Sequence, residues 1–159
     1  MIIKYEDLPD IRTSHKAKRI AYAGGVFDLI HTGHLELFKY LRSIGDVVVV
    51  GVSSDKRTKE RKGSDRPIQS QEVRLEVVDA LKYVDYALII PDAPPSGDKR
   101  FRMEIPNALC PDVFVTTDPT WSDKTNEFNR LGIKLDIVRR FKDDISTTDI
   151  VNKVLGKLC

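Results

Sequence analysis

The chain has 159 residues, 41% hydrophobic and 31% charged, which is the balance of an ordinary soluble globular protein with one domain and a real core. Its 26 basic and 24 acidic residues leave a net charge of +2, which excludes a general nucleic-acid binder and requires any basic function to come from a local cluster. Cys110 and Cys159 have neither metal-ligand spacing nor a disulfide framework, and the start MIIKYEDLPD does not read as a signal peptide. The runs DVVVVGV and YALII are too short to cross a bilayer, so a reducing cytoplasm fits best.

Residues 1–18 are polar and weakly patterned, a lead-in packed as an arm ahead of a single domain over 19–159. RIAYA (19–23) reads as a buried strand ending at Gly24-Gly25. From Thr32 the apolar positions Leu35, Phe38 and Leu41, with Leu37 and Ile44, follow helical spacing, and Gly45 is placed to end that helix as a left-handed cap. DVVVVGVS (46–53) has no polar alternation, as expected of a strand covered on both faces. The segment 54–67 reads as a charged loop. Ser70 then caps a helix running to Tyr83, with Val73, Val77, Leu81 and Val84 as its core stripe.

DYALII (85–90) is a third strand stopped by Pro91, and a Pro/Gly-rich loop over 91–98 follows. A short helical piece interrupted by Pro106 comes next, then DVFVT (112–116) as strand four. A helix over 123–131 closes at Gly132, and IKLDIV (133–138) is strand five. Ser146 and Asp149 form a capping pattern for a last helix whose apolar face is Ile150, Val151, Val154, Leu155 and Leu158. This alternation predicts an α/β sandwich around a mainly parallel sheet, whose ligands bind beyond the carboxyl ends of the strands.

GGVFDLIHTGH (24–34) leaves the first strand at such an end. Zinc held by His31 and His34 would need at least one more protein ligand, and His15, the unpaired cysteines and scattered carboxylates supply no motif, so no protein-bound metal is expected. Two half-buried histidines with satisfied hydrogen bonds is the bland alternative. Their place in the first turn of a helix behind Gly-Gly favours phosphate binding instead, because free amides and the positive helix end already form an anion site. Imidazoles add directed donors, and Gly33 leaves room for a ligand. Neither a P-loop nor a G-x-G-x-x-G follows the strand.

GGVFDLIHTGH resembles the G-x-F-D-x-x-H-x-G-H signature of the cytidylyltransferase-like nucleotidyltransferases, and ISTTDI (145–150) resembles their S-T-T signature. SSDKRTKERKGSDRPI and RLEVVDALKYVD are similar to pieces of the heptose-1-phosphate adenylyltransferases of lipopolysaccharide precursor synthesis, and the resemblance covers roughly residues 19–155. It implies a single-domain, Rossmann-like nucleotidyltransferase fold and transfer of a nucleotidyl group from ATP or CTP to a phosphorylated small molecule. The acceptor phosphate attacks the α-phosphorus in line, so the enzyme positions groups and neutralises charge.

Carried over, the resemblance makes His31 and His34 the triphosphate clamp and Gly24, Gly25, Val26 and Phe27 the backbone cradle, with Gly33 as ribose clearance. Asp28 falls near the reacting phosphates, and Ser146, Thr147 and Thr148 offer hydroxyls and amides from the opposite side. Lys59 and Lys62 match lysines of a loop able to close over the phosphates, and Arg66 is an acceptor-phosphate candidate. Magnesium is implied as the companion of the triphosphate, and KYVD (82–85) falls where relatives make homodimer contacts. No nucleic-acid or membrane partner is expected.

The chain departs from the heptose pattern after strand four. TTDPTW (116–121) replaces a lysine-glycine-glycine segment, and its Asp118 and Trp121 are closer to the glycerol-3-phosphate cytidylyltransferases. Thr116, Asp118 and Trp121 thus border the base pocket, with Trp121 either stacking on a base or acceptor or anchoring the loop. Asp144 stands where relatives have glycine, Arg139 and Arg140 are displaced from the family arginine, and PPSGDKRFR lengthens the loop over 91–105. ATP with a sugar phosphate is the expected pair. CTP is the alternative donor and FMN an alternative acceptor, as in the more distantly similar archaeal FMN adenylyltransferases. A nucleotide-binding sensor that has lost the chemistry is the rival from another class.

Overall fold

Val48, Val50 and Val52 point to one side of the second strand and Val47 and Val49 to the other, and all are buried, which is why that stretch has no polar alternation. The computed structural model describes residues 1–92, 102–141 and 145–156. Its strands are β1 (Ile20–Gly25), β2 (Val47–Ser53), β3 (Tyr86–Ile90), β4 (Val113–Thr116) and β5 (Lys134–Ile137). They pair in parallel in the order β3-β2-β1-β4-β5. The chain winds outward from β1 to β3 and then crosses back to β4, so the winding reverses between β1 and β4, where α/β sheets bind ligands.

Helices α2 (Thr32–Ile44) and α4 (Gln71–Asp79) cover one face, burying Phe38, Leu41, Leu75 and Val78 against Ala21, Ala23, Val48 and Val50. On the other face α1 (Leu8–Ser14), α5 (Glu104–Leu109) and α6 (Thr125–Arg130) bury Leu8, Leu109 and Phe128 around Ile20, Tyr22, Val49 and Phe114. The lead-in reaches the sheet too: Ile2 bridges Ala87 in parallel beside β3, and Ile3 is buried. The remaining helices are α3 (Asp55–Lys62) and α7 (Thr147–Val154).

Several local expectations are corrected. The segment 54–67 is not a loop throughout, because α3 forms without an apolar stripe. Ser54 caps it by accepting from the Arg57 N–H, Thr58 alone is buried, basic residues fill the last turn, and Gly63 ends it at φ +99°. Gly45 is not a left-handed cap; its backbone is extended, and a Cβ would stand 2.7 Å from that of Ala21. The helix starting after Ser70 stops at Asp79, and it turns Arg74, Leu75 and Val78 inward while Val73 and Val77 are 44% and 37% exposed. Pro106 does not interrupt α5, since it sits in the first turn where no N–H is needed. On α7 only Ile150 and Val151 of the proposed apolar face are half-buried; Val154 and Leu155 are exposed and Leu158 lies outside the described residues.

Candidate active site

At the carboxyl end of β1, backbone geometry dictates the residue types. A Cβ on Gly25 would stand 2.7 Å from the Phe27 ring, and one on Gly24 would stand 2.9 Å from the Tyr22 hydroxyl. Phe27 turns the chain with φ +51°, uncommon for a side-chain-bearing residue, and its burial against Phe38 and His34 holds it there.

His31 is the N-cap of α2, a position usually taken by Ser, Thr, Asp or Asn. Its Nδ1 accepts the Gly33 N–H at 3.2 Å, and Nδ1 of His34 accepts the His31 N–H at 3.4 Å. The rings stack with centroids 3.8 Å apart. Because both Nδ1 atoms are acceptors, each neutral ring carries its proton on Nε2 and offers it as a donor. Burial lowers the pKa of both histidines, and His34, further lowered by His31 and Lys62, comes down to about 4. The pair is therefore uncharged near neutral pH.

This state is measurable by imidazole nitrogen NMR. Both rings are expected as Nε2–H tautomers at pH 7, with His34 titrating near about 4 rather than at the ordinary 6.5. The unfolded chain then takes up this proton first, so the contribution of His34 to stability is complete above pH 6.5 and is lost as pH falls toward about 4. A His34 titration at or above 6.5 would contradict this arrangement.

The turn opens onto a cavity of about 620 Å³ at the carboxyl ends of the strands. Gly24, Gly25, Val26, Phe27, Asp28, His31, Gly33 and His34 line it from the β1 side. Ser146, Thr147 and Thr148 line it too, at the start of α7, where the Ser146 hydroxyl accepts the Asp149 N–H at 3.1 Å and donates to the Asp149 carboxylate at 2.6 Å. Two helix N-termini thus face one space, each adding backbone donors and positive dipole. Arg57, Arg61, Lys62, Arg102 and Arg140 also line the wall, making it basic although the chain as a whole is nearly neutral.

Thr116, Asp118 and Trp121 reach the cavity at the end of β4. Asp118 caps the 3-10 turn that follows and faces Arg61 at 3.7 Å. Trp121 packs on Phe114 and Phe128, and the Arg102 guanidinium lies 4.3 Å from the centroid of its ring. It anchors the loop while leaving part of its surface on the cavity.

Two expected site residues stand elsewhere. Lys59 is exposed and off the cavity wall, because α3 places Arg57 and Arg61, one turn apart, on the wall with Lys62. Arg66 is also off the wall, lying 3.0 Å from the buried Asp28 carboxylate. That carboxylate also accepts the Ile68 and Gln69 N–H groups at 2.9–3.0 Å, so its oxygens are engaged in holding the segment over 66–69. Sequence reasoning passed over Arg57, Arg61, Arg102, Tyr22 and Glu104, all on the wall. The basic run was a signal for Arg57 and Arg61, but only a helix assignment selects them from it. Residues 93–101 of the lengthened loop, and Asp144, lie outside the described residues.

The sequence model of the family described as Cytidylyltransferase-like matches residues 22–153. The bifunctional protein HldE of Campylobacter fetus is 32% identical over 157 residues, 98% of this chain, and the chain spans 31% of that protein's length. The FAD synthase of Thermococcus sibiricus is 34% identical over 153 residues, covering 91% of this chain and 98% of that one. Among solved structures, the lipopolysaccharide core biosynthesis protein of Thermoplasma volcanium superposes with a TM-score of 0.60 at 30% identity, over 80% of this chain and 99% of that one. A pantoate-beta-alanine ligase of Francisella tularensis, complexed with beta-gamma ATP and beta-alanine, shares the fold, with a TM-score of 0.66 at 15% identity over 98% and 78% of the chains.

Proposed function

The chain belongs to the cytidylyltransferase-like family, and from that premise we propose that it is a nucleotidyltransferase, which transfers AMP from ATP to a phosphorylated small molecule, a sugar phosphate such as heptose 1-phosphate, and releases pyrophosphate. The observation that carries this reading is the stacked pair of neutral imidazoles, each with Nδ1 held by a backbone amide and its Nε2–H left as donor, on a cavity that a second helix N-terminus also faces.

The phosphate oxygen of the acceptor attacks the α-phosphorus of ATP; the new P–O bond forms as the bond to the pyrophosphate oxygen breaks. Charge accumulates on the α-phosphate oxygens and the leaving group. The two Nε2–H groups and the amides at the start of α7 meet that charge without first losing a proton or reorienting. Lys62, Arg61, Arg57 and Arg140 neutralise the remaining phosphate charge. Among the described residues no group of three or more His, Cys, Asp or Glu side chains is placed to hold a metal ion. The wall's imidazoles, amides, hydroxyls and cations suit phosphate oxygens instead, so magnesium would be held by the triphosphate itself, where it would supply charge neutralisation. Gly33, Thr116 and Asp118 are the ribose- and base-side surfaces in this reading, and Arg66 acts on the site through Asp28.

FMN is the second acceptor reading. What supports it is the likeness to the FAD synthase of Thermococcus sibiricus, 34% identical over 153 residues. The proposal also includes a homodimer, for which the exposed Val73 and Val77 of α4 are an available apolar surface, and a cytoplasmic setting. Among the described residues no helix is long and apolar enough to cross a membrane. Pyrophosphate release with ATP and with CTP, each against heptose 1-phosphate, glycerol 3-phosphate and FMN, tests the assignment. Turnover with ATP and one of these acceptors is expected. Turnover with CTP alone would reassign the donor, and silence throughout despite tight nucleotide binding would favour the sensor reading.

A further inference from the structure

The wall of the cavity carried by the opposite face of the sheet from α2 differs in character. Tyr22, Ile90, Phe114, Ile105 and Pro106 make it largely apolar, and Glu104 is its acidic group. Oε1 of Glu104 is shielded from solvent and has no hydrogen-bond partner among the described residues. Arg57 faces it from α3 but already donates to the Pro91 carbonyl at 2.8 Å, and the other titratable groups under its influence are the phenols of Tyr5 and Tyr22. Burial raises the Glu104 pKa to about 8 against the opposing pull of Arg57. Such a carboxyl adds nothing to folding that an apolar residue would not supply, because buried polar groups are normally paired.

We infer that Glu104 is a specificity-determining residue that reads the acceptor: its free carboxylate oxygen accepts a hydrogen bond from an uncharged donor, a hydroxyl or a ring N–H, on the end of the acceptor remote from its phosphate. This rests on the nucleotidyltransfer reading above. Charge sets the polarity of the bound acceptor. Arg61 and Lys62 attract the phosphate, whereas the apolar wall around Glu104 accommodates a neutral end. A cationic end is disfavoured by Arg57, which faces Glu104 from α3. Because a ligand donor stabilises the ionised carboxylate, binding lowers the Glu104 pKa and releases protons near pH 7 to 8.

Steady-state kinetics of the wild-type protein, Glu104→Leu and Glu104→Gln test this, with ATP and either heptose 1-phosphate or FMN. Glu104→Leu is expected to raise the acceptor KM by about tenfold or more, and Glu104→Gln by less, while ATP affinity measured by calorimetry without acceptor moves less than about twofold. In the wild type, kcat/KM for the acceptor should rise as pH rises through about 8, and in Glu104→Gln that rise should vanish. Comparing the two acceptors distinguishes a sugar hydroxyl from a flavin group as the donor. An unchanged acceptor KM in Glu104→Leu, with the wild type active, would overturn this inference and leave the transferase reading intact. A wild type silent with both acceptors would overturn the assignment of ATP with a sugar phosphate or FMN and, with it, this inference.

Discussion

Replacing His34 by alanine is expected to lower kcat/KM by about a thousandfold while costing the fold only about 1 kcal/mol. The two effects separate because the ring's structural contacts are weak and its donor has no substitute. Its Nδ1 accepts the His31 N–H at a long 3.4 Å, and alanine's better helix propensity offsets part of that loss. Edge-on packing against Phe27 at 5.3 Å is the larger structural contribution. The Nε2–H belongs to a neutral ring on the cavity wall, and in the proposed reaction it meets charge that develops only as the α-phosphorus is attacked, so its loss is expected to fall on the transition state. Single-turnover kinetics beside a urea melt measures both quantities. A large fall in stability with near-normal turnover would return the histidine pair to a packing role.

The same turn illustrates how much the sequence disclosed. Glycine-glycine at the end of an apolar strand, followed by two histidines around Gly33, favours anion binding over packing, and the cavity these residues line was legible in its position. The parallel sheet was legible for a related reason: β2 is apolar on both faces, and only a strand covered on both sides needs that. Helix α3 was not, because caps at Ser54 and Gly63 hold it and Thr58 is its one buried residue, leaving no period in the hydrophobic pattern. The lysine assignment shifted with it, from Lys59 to a wall of Arg57, Arg61 and Lys62. Asp28 was found but its engagement was not, since the N–H groups of Ile68 and Gln69 reach it from 40 and 41 residues away. Local spacing has no information about such a partner.

Arg74→Leu is expected to be the most destabilising substitution at the site, by about 3 kcal/mol. In the stripe through Val73 and Val77 this arginine fell on the polar side of α4, yet its side chain is fully buried. Its guanidinium donates to the Val26 carbonyl at 2.5 Å, the Gln69 carbonyl at 3.0 Å and the Asp55 carboxylate at 2.7 Å. Those acceptors belong to the glycine–histidine turn, the segment bound to Asp28 and the first turn of α3. Leucine fills much of the space but leaves two carbonyls and a carboxylate without a donor. Asp55 remains about a third exposed, so water recovers part of its loss and the cost stays at the lower end of the range for a broken buried pair. Urea denaturation of Arg74→Leu beside Asp55→Asn separates the contributions, the latter removing only the ion pair for about 1 kcal/mol. ATP affinity should fall in Arg74→Leu as well, because the turn carrying His31 and the helix carrying Arg57 and Arg61 lose their common tie. Stability within 1 kcal/mol of wild type would mean that the turn is held by the burial of Phe27 alone.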